Sequence, residues 1–138
     1  MACSCHKEFG RKVEIAIFAS RIIQAMKIYR NRFLPLRGFT AINLFGLMLV
    51  RPRVHVSARL VNHESIHTAQ MRELGYILFY VLYVVEWLLR LPLCGNAYRG
   101  ISFEREAYAH EHDPAYLSQR HHYAWIHYLK SPQKRKKK

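Results

Sequence analysis

Acidic side chains are scarce in this chain. Nine Asp and Glu stand against 22 Lys and Arg in 138 residues, a formal net charge of +13 with neutral histidines. That balance favours anionic partners such as lipid headgroups, nucleic acid or acidic proteins, and says nothing about fold. Part of the excess sits in Lys134–Lys138, a like-charge run that reads as a solvated, disordered tail. Cysteine is rare and odd in number: Cys3, Cys5 and Cys94. The opening MACSCHKEFGRK has no apolar h-region, so no disulfide scaffold is expected and a reducing cytosol is the default expectation. Cys3, Cys5 and His6 form only a weak metal pattern at a terminus. A long hydrophobic run is also missing. The longest, Tyr76–Leu91, has 16 residues and carries Glu86 and Arg90, whereas a membrane span needs about 20. It reads as a buried core helix, with a helix lying on a membrane as the alternative.

What is present suits one compact domain. Apolar residues make up 51% of the chain, enough for a core. Residues 1–130 are expected to form that domain and 131–138 the tail. Ile15, Phe18, Ile22, Met26, Tyr29 and Phe33 recur at helical spacing and predict a basic amphipathic helix over Val13–Phe33. Pro35 and Gly38 end it. Phe39–Val50 reads as a strand bent at Gly46, and alternation over Val50–Ser57 reads as a second strand, placed at an edge by Pro52. Ser57 is a plausible N-cap for a helix reaching Leu74, stopped by Gly75. Another helix starts near Ser102 and ends before Pro114; a last one covers Ala115–Leu129.

The helix after Ser57 carries the chemistry. Arg59–Gln70 reads RLVNHESIHTAQ, in which His63 and His67 lie four apart with Glu64 directly after the first. Residues four apart share a helix face, so two imidazoles can hold one zinc ion, and Glu64 can act on its water. Composition alone predicts about 0.03 such motifs in a chain of this make-up. Leu60, Met71 and Leu74 continue the same stripe, which turns the ligands inward. Catalytic zinc needs a third protein ligand. Four of the nine acids fall in FEREAYAHEHD, at Glu104, Glu106, Glu111 and Asp113, so that helix is the expected donor. Glu104 and Glu106 lie about 200° apart on a helix, so only one can face the metal, and spacing alone excludes neither.

At this point the chain resembles the gluzincin clan of zinc metallopeptidases, over about Phe39–Asp113. In many of these the third ligand opens a Glu-x-x-Ala-Asp motif on a second helix, and EREAY, Glu104–Tyr108, is similar in all but the last position. The resemblance implies Glu104 as ligand, a small Ala107 for close helix approach, and an edge strand that holds extended substrate. It also implies a mostly helical, minimal zincin-like α+β domain with a small antiparallel sheet before the motif helix. Tyr108 stands where the family has an aspartate that supports a ligand histidine, so that support is expected to be missing; the Tyr108 hydroxyl could instead serve an oxyanion.

The reading is therefore a zinc metallopeptidase: Zn2+ held by His63, His67 and Glu104, with Glu64 as general base on a zinc-activated water, hydrolysing peptide or protein substrates. The alternative is a catalytically inactive zinc-binding structural or interaction domain. His55 is expected to face solvent, and His121, His122 and His127 to belong to an aromatic amphipathic helix. No nucleic-acid signature accompanies that aromatic and basic mixture, so nucleic acid is set aside as a partner. The expected setting is cytoplasmic, with peripheral attachment to an anionic inner membrane face as the alternative.

Overall fold

The computed structural model describes residues 26–34, 39–92 and 96–130. Cys3–His6, Lys134–Lys138 and residues 13–25 of the expected first helix lie outside them.

Three short strands form one sheet in the order β1-β3-β2: β1 Lys27–Arg30, β2 Ala41–Leu44 and β3 Leu47–Val50. β2 and β3 are the antiparallel arms of a hairpin, not one bent strand. Phe45 and Gly46 make its two-residue turn with φ of 53° and 82°, both positive as a type I′ turn requires. Glycine adopts this freely. Phe45 is held there by its own contacts: its N–H donates to the Tyr80 hydroxyl at 2.9 Å, and its ring lies 5.2 Å from that of Tyr80. β1 runs parallel to β3, Lys27 opposite Leu47 through Arg30 opposite Val50. The α+β architecture is thus as expected, with a sheet that is mixed.

β1 corrects the helical expectation at Met26–Arg30. The β-branched and aromatic pair Ile28 and Tyr29 suits a strand, and Met26 and Ile28 pack with Met48, Val50 and Val61. Helical spacing there was a by-product of apolar residues serving one sheet face. The strand expected over Val50–Ser57 is also absent. Pro52 has no N–H to give a ladder, and the Arg30 guanidinium takes the carbonyls of Pro52 and Val54 at 2.6 and 3.1 Å.

Five α-helices follow among the described residues: α1 Ala58–Glu73, α2 Ile77–Arg90, α3 Ala97–Gly100, α4 Ser102–His110 and α5 Tyr116–Gln119, then a 3-10 helix over Ala124–Tyr128. Helix α1 has the expected ends. The Ser57 hydroxyl accepts from the Leu60 N–H at 3.2 Å. At the other end Gly75 takes φ 64°, and the Tyr76 N–H reaches back to the Met71 carbonyl at 2.7 Å in a Schellman closure. The single helix expected over Ala115–Leu129 is broken. Arg120 sends its guanidinium into a buried ion pair with Glu73 and Glu106, and Tyr123 turns left-handed at φ 59°.

Helix α1 is the common wall of two cores. Its Val61 joins Met48 and Val50 under the sheet. Its Met71 joins Phe79, Ile101, Phe103 and Trp125 in the helical half. Between them lie His63, Glu64 and His67, all buried.

Helix α2 departs from the expected core helix. Of its 14 residues only Phe79 is buried, while Ile77, Leu78, Val81, Val84, Val85, Trp87, Leu88 and Leu89 are exposed. Its charges turn inward. Glu86 accepts from the Ser102 N–H at 2.9 Å and the Ser102 hydroxyl at 2.6 Å, capping α4, which has no side-chain cap of its own. Arg90 pairs with Glu86. No helix among the described residues is long and apolar enough to cross a membrane.

Candidate metal centre

The four-residue spacing places the two imidazoles of α1 side by side, with Nε2 of His63 and Nε2 of His67 3.2 Å apart. Helix α4 crosses α1 at this level and delivers Glu104. Its carboxylate oxygens lie 3.3 Å from His67 Nε2 and 3.5 Å from His63 Nε2. One ligand atom from each of the three residues falls within 4.8 Å of the others. Two donors at zinc distances of about 2.0–2.1 Å and a tetrahedral angle stand about 3.4 Å apart, so all three separations fit one zinc ion. Glu104 Oε2 is buried without a hydrogen-bond partner, as a ligand oxygen is before its cation arrives.

Hydrogen bonds behind the imidazoles fix which nitrogen faces Glu104. A Glu111 oxygen lies 3.1 Å from His63 Nδ1, and a carboxylate can only accept, so Nδ1 carries the proton. The same logic reaches His67 through one more residue. Gln70 Nε2 donates to the Phe103 carbonyl and to Glu106, each at 3.1 Å. That sets its amide orientation and points Oε1 at His67 Nδ1, 2.8 Å away. Both Nε2 atoms therefore face Glu104, the orientation seen in metal sites whose histidines are backed by acceptors.

The two glutamates of α4 take different places. Glu104 enters the cluster; Glu106 points the other way, fully buried, where it holds Arg120, Gln70 and the Tyr116 hydroxyl. The support expected to be missing at Tyr108 comes from Glu111, whose second oxygen holds Arg59 at 2.6 Å. Tyr108 instead lays its ring against the His63 imidazole, centroids 4.7 Å apart, beneath the Arg99 guanidinium. Two further residues escaped the sequence reading. The Tyr83 hydroxyl donates to Glu104 Oε1 at 2.8 Å, and Tyr98 also acts on that carboxylate. Burial, reinforced by Glu104, pushes both phenols far above their ordinary range, so they stay neutral donors.

Electrostatics follow the packing. Burial disfavours the Glu64 carboxylate and raises its pKa, with Glu104 adding to the effect and the histidines opposing it. Burial works against the His67 imidazolium, but the Glu104 carboxylate beside it more than compensates and lifts the pKa to about 9 in the metal-free protein. Burial likewise opposes ionisation of Glu104, and the two histidines overcome it, holding its pKa well below the usual carboxylate range. The imidazolium and the carboxylate thus stabilise each other's charged forms.

A cleft of about 430 Å3 runs past the cluster. Ala41–Leu44 of β2 form one wall, and Phe79, Tyr80, Tyr83, Val84 and Trp87 of α2 form the other; Glu64, His67 and Glu104 line it between them. β2 is the outer strand on that side. Tyr98, not Tyr108, lines the cleft. Asn43 ties β2 to α1, donating to the Glu64 carbonyl at 2.7 Å and to the Thr68 hydroxyl at 2.8 Å. His55, His121, His122 and His127 are exposed and stand apart from the cluster. Comparison of the chain with family models, curated proteins and solved structures returns no match.

Proposed function

We propose that the chain is a zinc-dependent hydrolase of peptide bonds. The observation that carries this reading is the orientation of the two imidazoles: Glu111 and Gln70 hold both Nδ1 atoms, so that Nε2 of His63 faces Glu104 Oε2 at 3.5 Å and Nε2 of His67 faces Glu104 Oε1 at 3.3 Å. The resemblance of His63–His67 and Glu104–Tyr108 to the gluzincin motifs adds to it. Zinc held by His63, His67 and Glu104 would supply Lewis acidity, polarising a carbonyl and making water acidic near neutral pH.

The remaining work falls to the chain's own side chains. Glu64 lines the cleft beside the ligands, and its raised pKa makes it a better base than an exposed carboxylate. It takes a proton from the attacking water as the water oxygen adds to the scissile carbon. It returns that proton to the amine nitrogen as the C–N bond breaks. Neutral Tyr83 holds Glu104 in place through its hydroxyl. β2, the outer strand among the described residues, offers main-chain groups to an extended peptide, and the aromatic wall of α2 takes its apolar side chains. The proposed setting is cytoplasmic, in peripheral contact with an anionic membrane surface.

Glu64→Gln is the test. The variant is expected to bind one zinc per chain and to cleave no unfolded protein substrate. Unchanged cleavage ends the mechanism. Zinc at one per chain with no cleavage by the unaltered protein, across varied substrates, moves the reading to a zinc-binding interaction domain.

A further inference from the structure

Helix α2 wears its aliphatic residues outside and its charges inside. Ile77 is 64% exposed and Leu89 66%, with Val81, Val85 and Leu88 between them, whereas Phe79 is 3% exposed. Every ionisable acid or base from Glu73 to Tyr98 that carries a full charge is turned away from this face: Glu73 meets Arg120, and Glu86 meets Arg90. An exposed helix face made of large apolar side chains marks a docking surface.

We propose that this face beds into the interfacial zone of an anionic phospholipid bilayer and that the cleft takes its substrates from that interface. Length fixes the mode. A 14-residue helix is about 21 Å long and cannot cross a hydrocarbon core of about 30 Å, so it lies in the plane of the surface. Charge selects the occupant. At +13 a second copy of this chain is repelled, while an anionic leaflet attracts it. The cleft fixes the consequence. Val84 and Trp87 belong to the exposed face and also line the cleft, so its mouth opens where the lipid would be. The substrates are then extended polypeptide segments with apolar side chains lying at the membrane surface. The substrate half of the proposal rests on the hydrolase reading; the docking half does not.

The chain has two tryptophans, Trp87 on this face and Trp125 in the core, which makes the contact readable by fluorescence. With phosphatidylcholine vesicles containing about 30% phosphatidylserine, the full chain is expected to float with the lipid, more weakly without phosphatidylserine. In Trp125→Phe, emission from Trp87 shifts to the blue and is quenched by bromine-labelled acyl chains. Val85→Glu with Leu88→Glu, neither in the cleft wall, lowers partitioning about tenfold or more and leaves zinc binding unchanged. Quenching in the unaltered chain reads the same contact if that variant misfolds. An unquenched Trp87 on bound vesicles assigns the lipid contact to another part of the chain and overturns the proposal. So does binding that survives the paired substitution and disappears on removing residues 131–138. A lipid-free dimer dissociated by Leu88→Glu gives the face to a second copy and overturns it as well. Quenching without zinc binding leaves the docking intact and strikes the hydrolase reading alone.

Discussion

One Glu111 oxygen lies 3.1 Å from His63 Nδ1 while the other holds Arg59 at 2.6 Å. A single carboxylate thereby orients the His63 imidazole from outside the cluster and is itself oriented. Glu111→Gln is expected to lower zinc affinity about 10–100-fold, measured by competition with a chromophoric chelator. Tyr108→Phe keeps the ring against His63 and is expected to leave that affinity unchanged. The reverse pattern would return the supporting role to Tyr108.

The two glutamates of α4 separate by phenotype. Glu104→Gln should lose tight zinc binding while the chain stays folded. Glu106→Ala should retain zinc with reduced affinity through Gln70. It should also lose on the order of 3 kcal/mol of stability, because Arg120 is left with Glu73 alone in a buried site. Urea unfolding and metal analysis of the two variants distinguish them; equal zinc loss in both would contradict the assignment.

Zinc bound as proposed would have to displace a proton from His67, whose pKa the Glu104 carboxylate lifts to about 9. Affinity should therefore rise about tenfold per pH unit between pH 7 and 9 and level off above, with about one proton released per zinc at pH 7. Calorimetry in buffers of different ionisation enthalpy counts that proton, and none released would refute the pairing. The metal-free fold has the opposite dependence. A raised imidazolium pKa contributes stability that is full below the ordinary 6.5 and fades as pH climbs through about 9.

Phe103 is fully buried, its ring 4.5 Å from Trp125 and 4.8 Å from Phe79. It precedes Glu104, and its carbonyl accepts from Gln70. Phe103→Ala should cost about 3–5 kcal/mol in urea unfolding. Zinc affinity should fall with it, since the same residue anchors the helix that carries the third ligand. A stability loss under about 1 kcal/mol would show that the helical core does not depend on this ring.

Legibility in the sequence followed locality. Helix α1, its Ser57 cap and its Gly75 stop are local signals, and all were readable. β1 was not, because its partner strand begins twenty residues later and only that pairing favours an extended chain. The orientation of α2 was hidden by apolar residues on every side. Glu86 and Arg90, four apart in that run, were the available sign of an inward-facing polar seam. Glu111 could have been found. Seven residues, two helical turns, separate it from Glu104, so both project from one face. Gln70, three residues after His67, offered the same kind of sign. Tyr83 and Tyr98 reach Glu104 only through tertiary packing, and no spacing announces them.

Because α1 divides the sheet core from the helical core, an ion held between its histidines and α4 would act as a rivet through the seam. Its occupancy would be felt by both halves of the molecule at once. Zinc at about a hundredfold above its dissociation constant adds about 2.7 kcal/mol to unfolding. Strands and helices alike should then melt in one later transition, and a chelator should loosen the hairpin as well as the helix that bears the ligands.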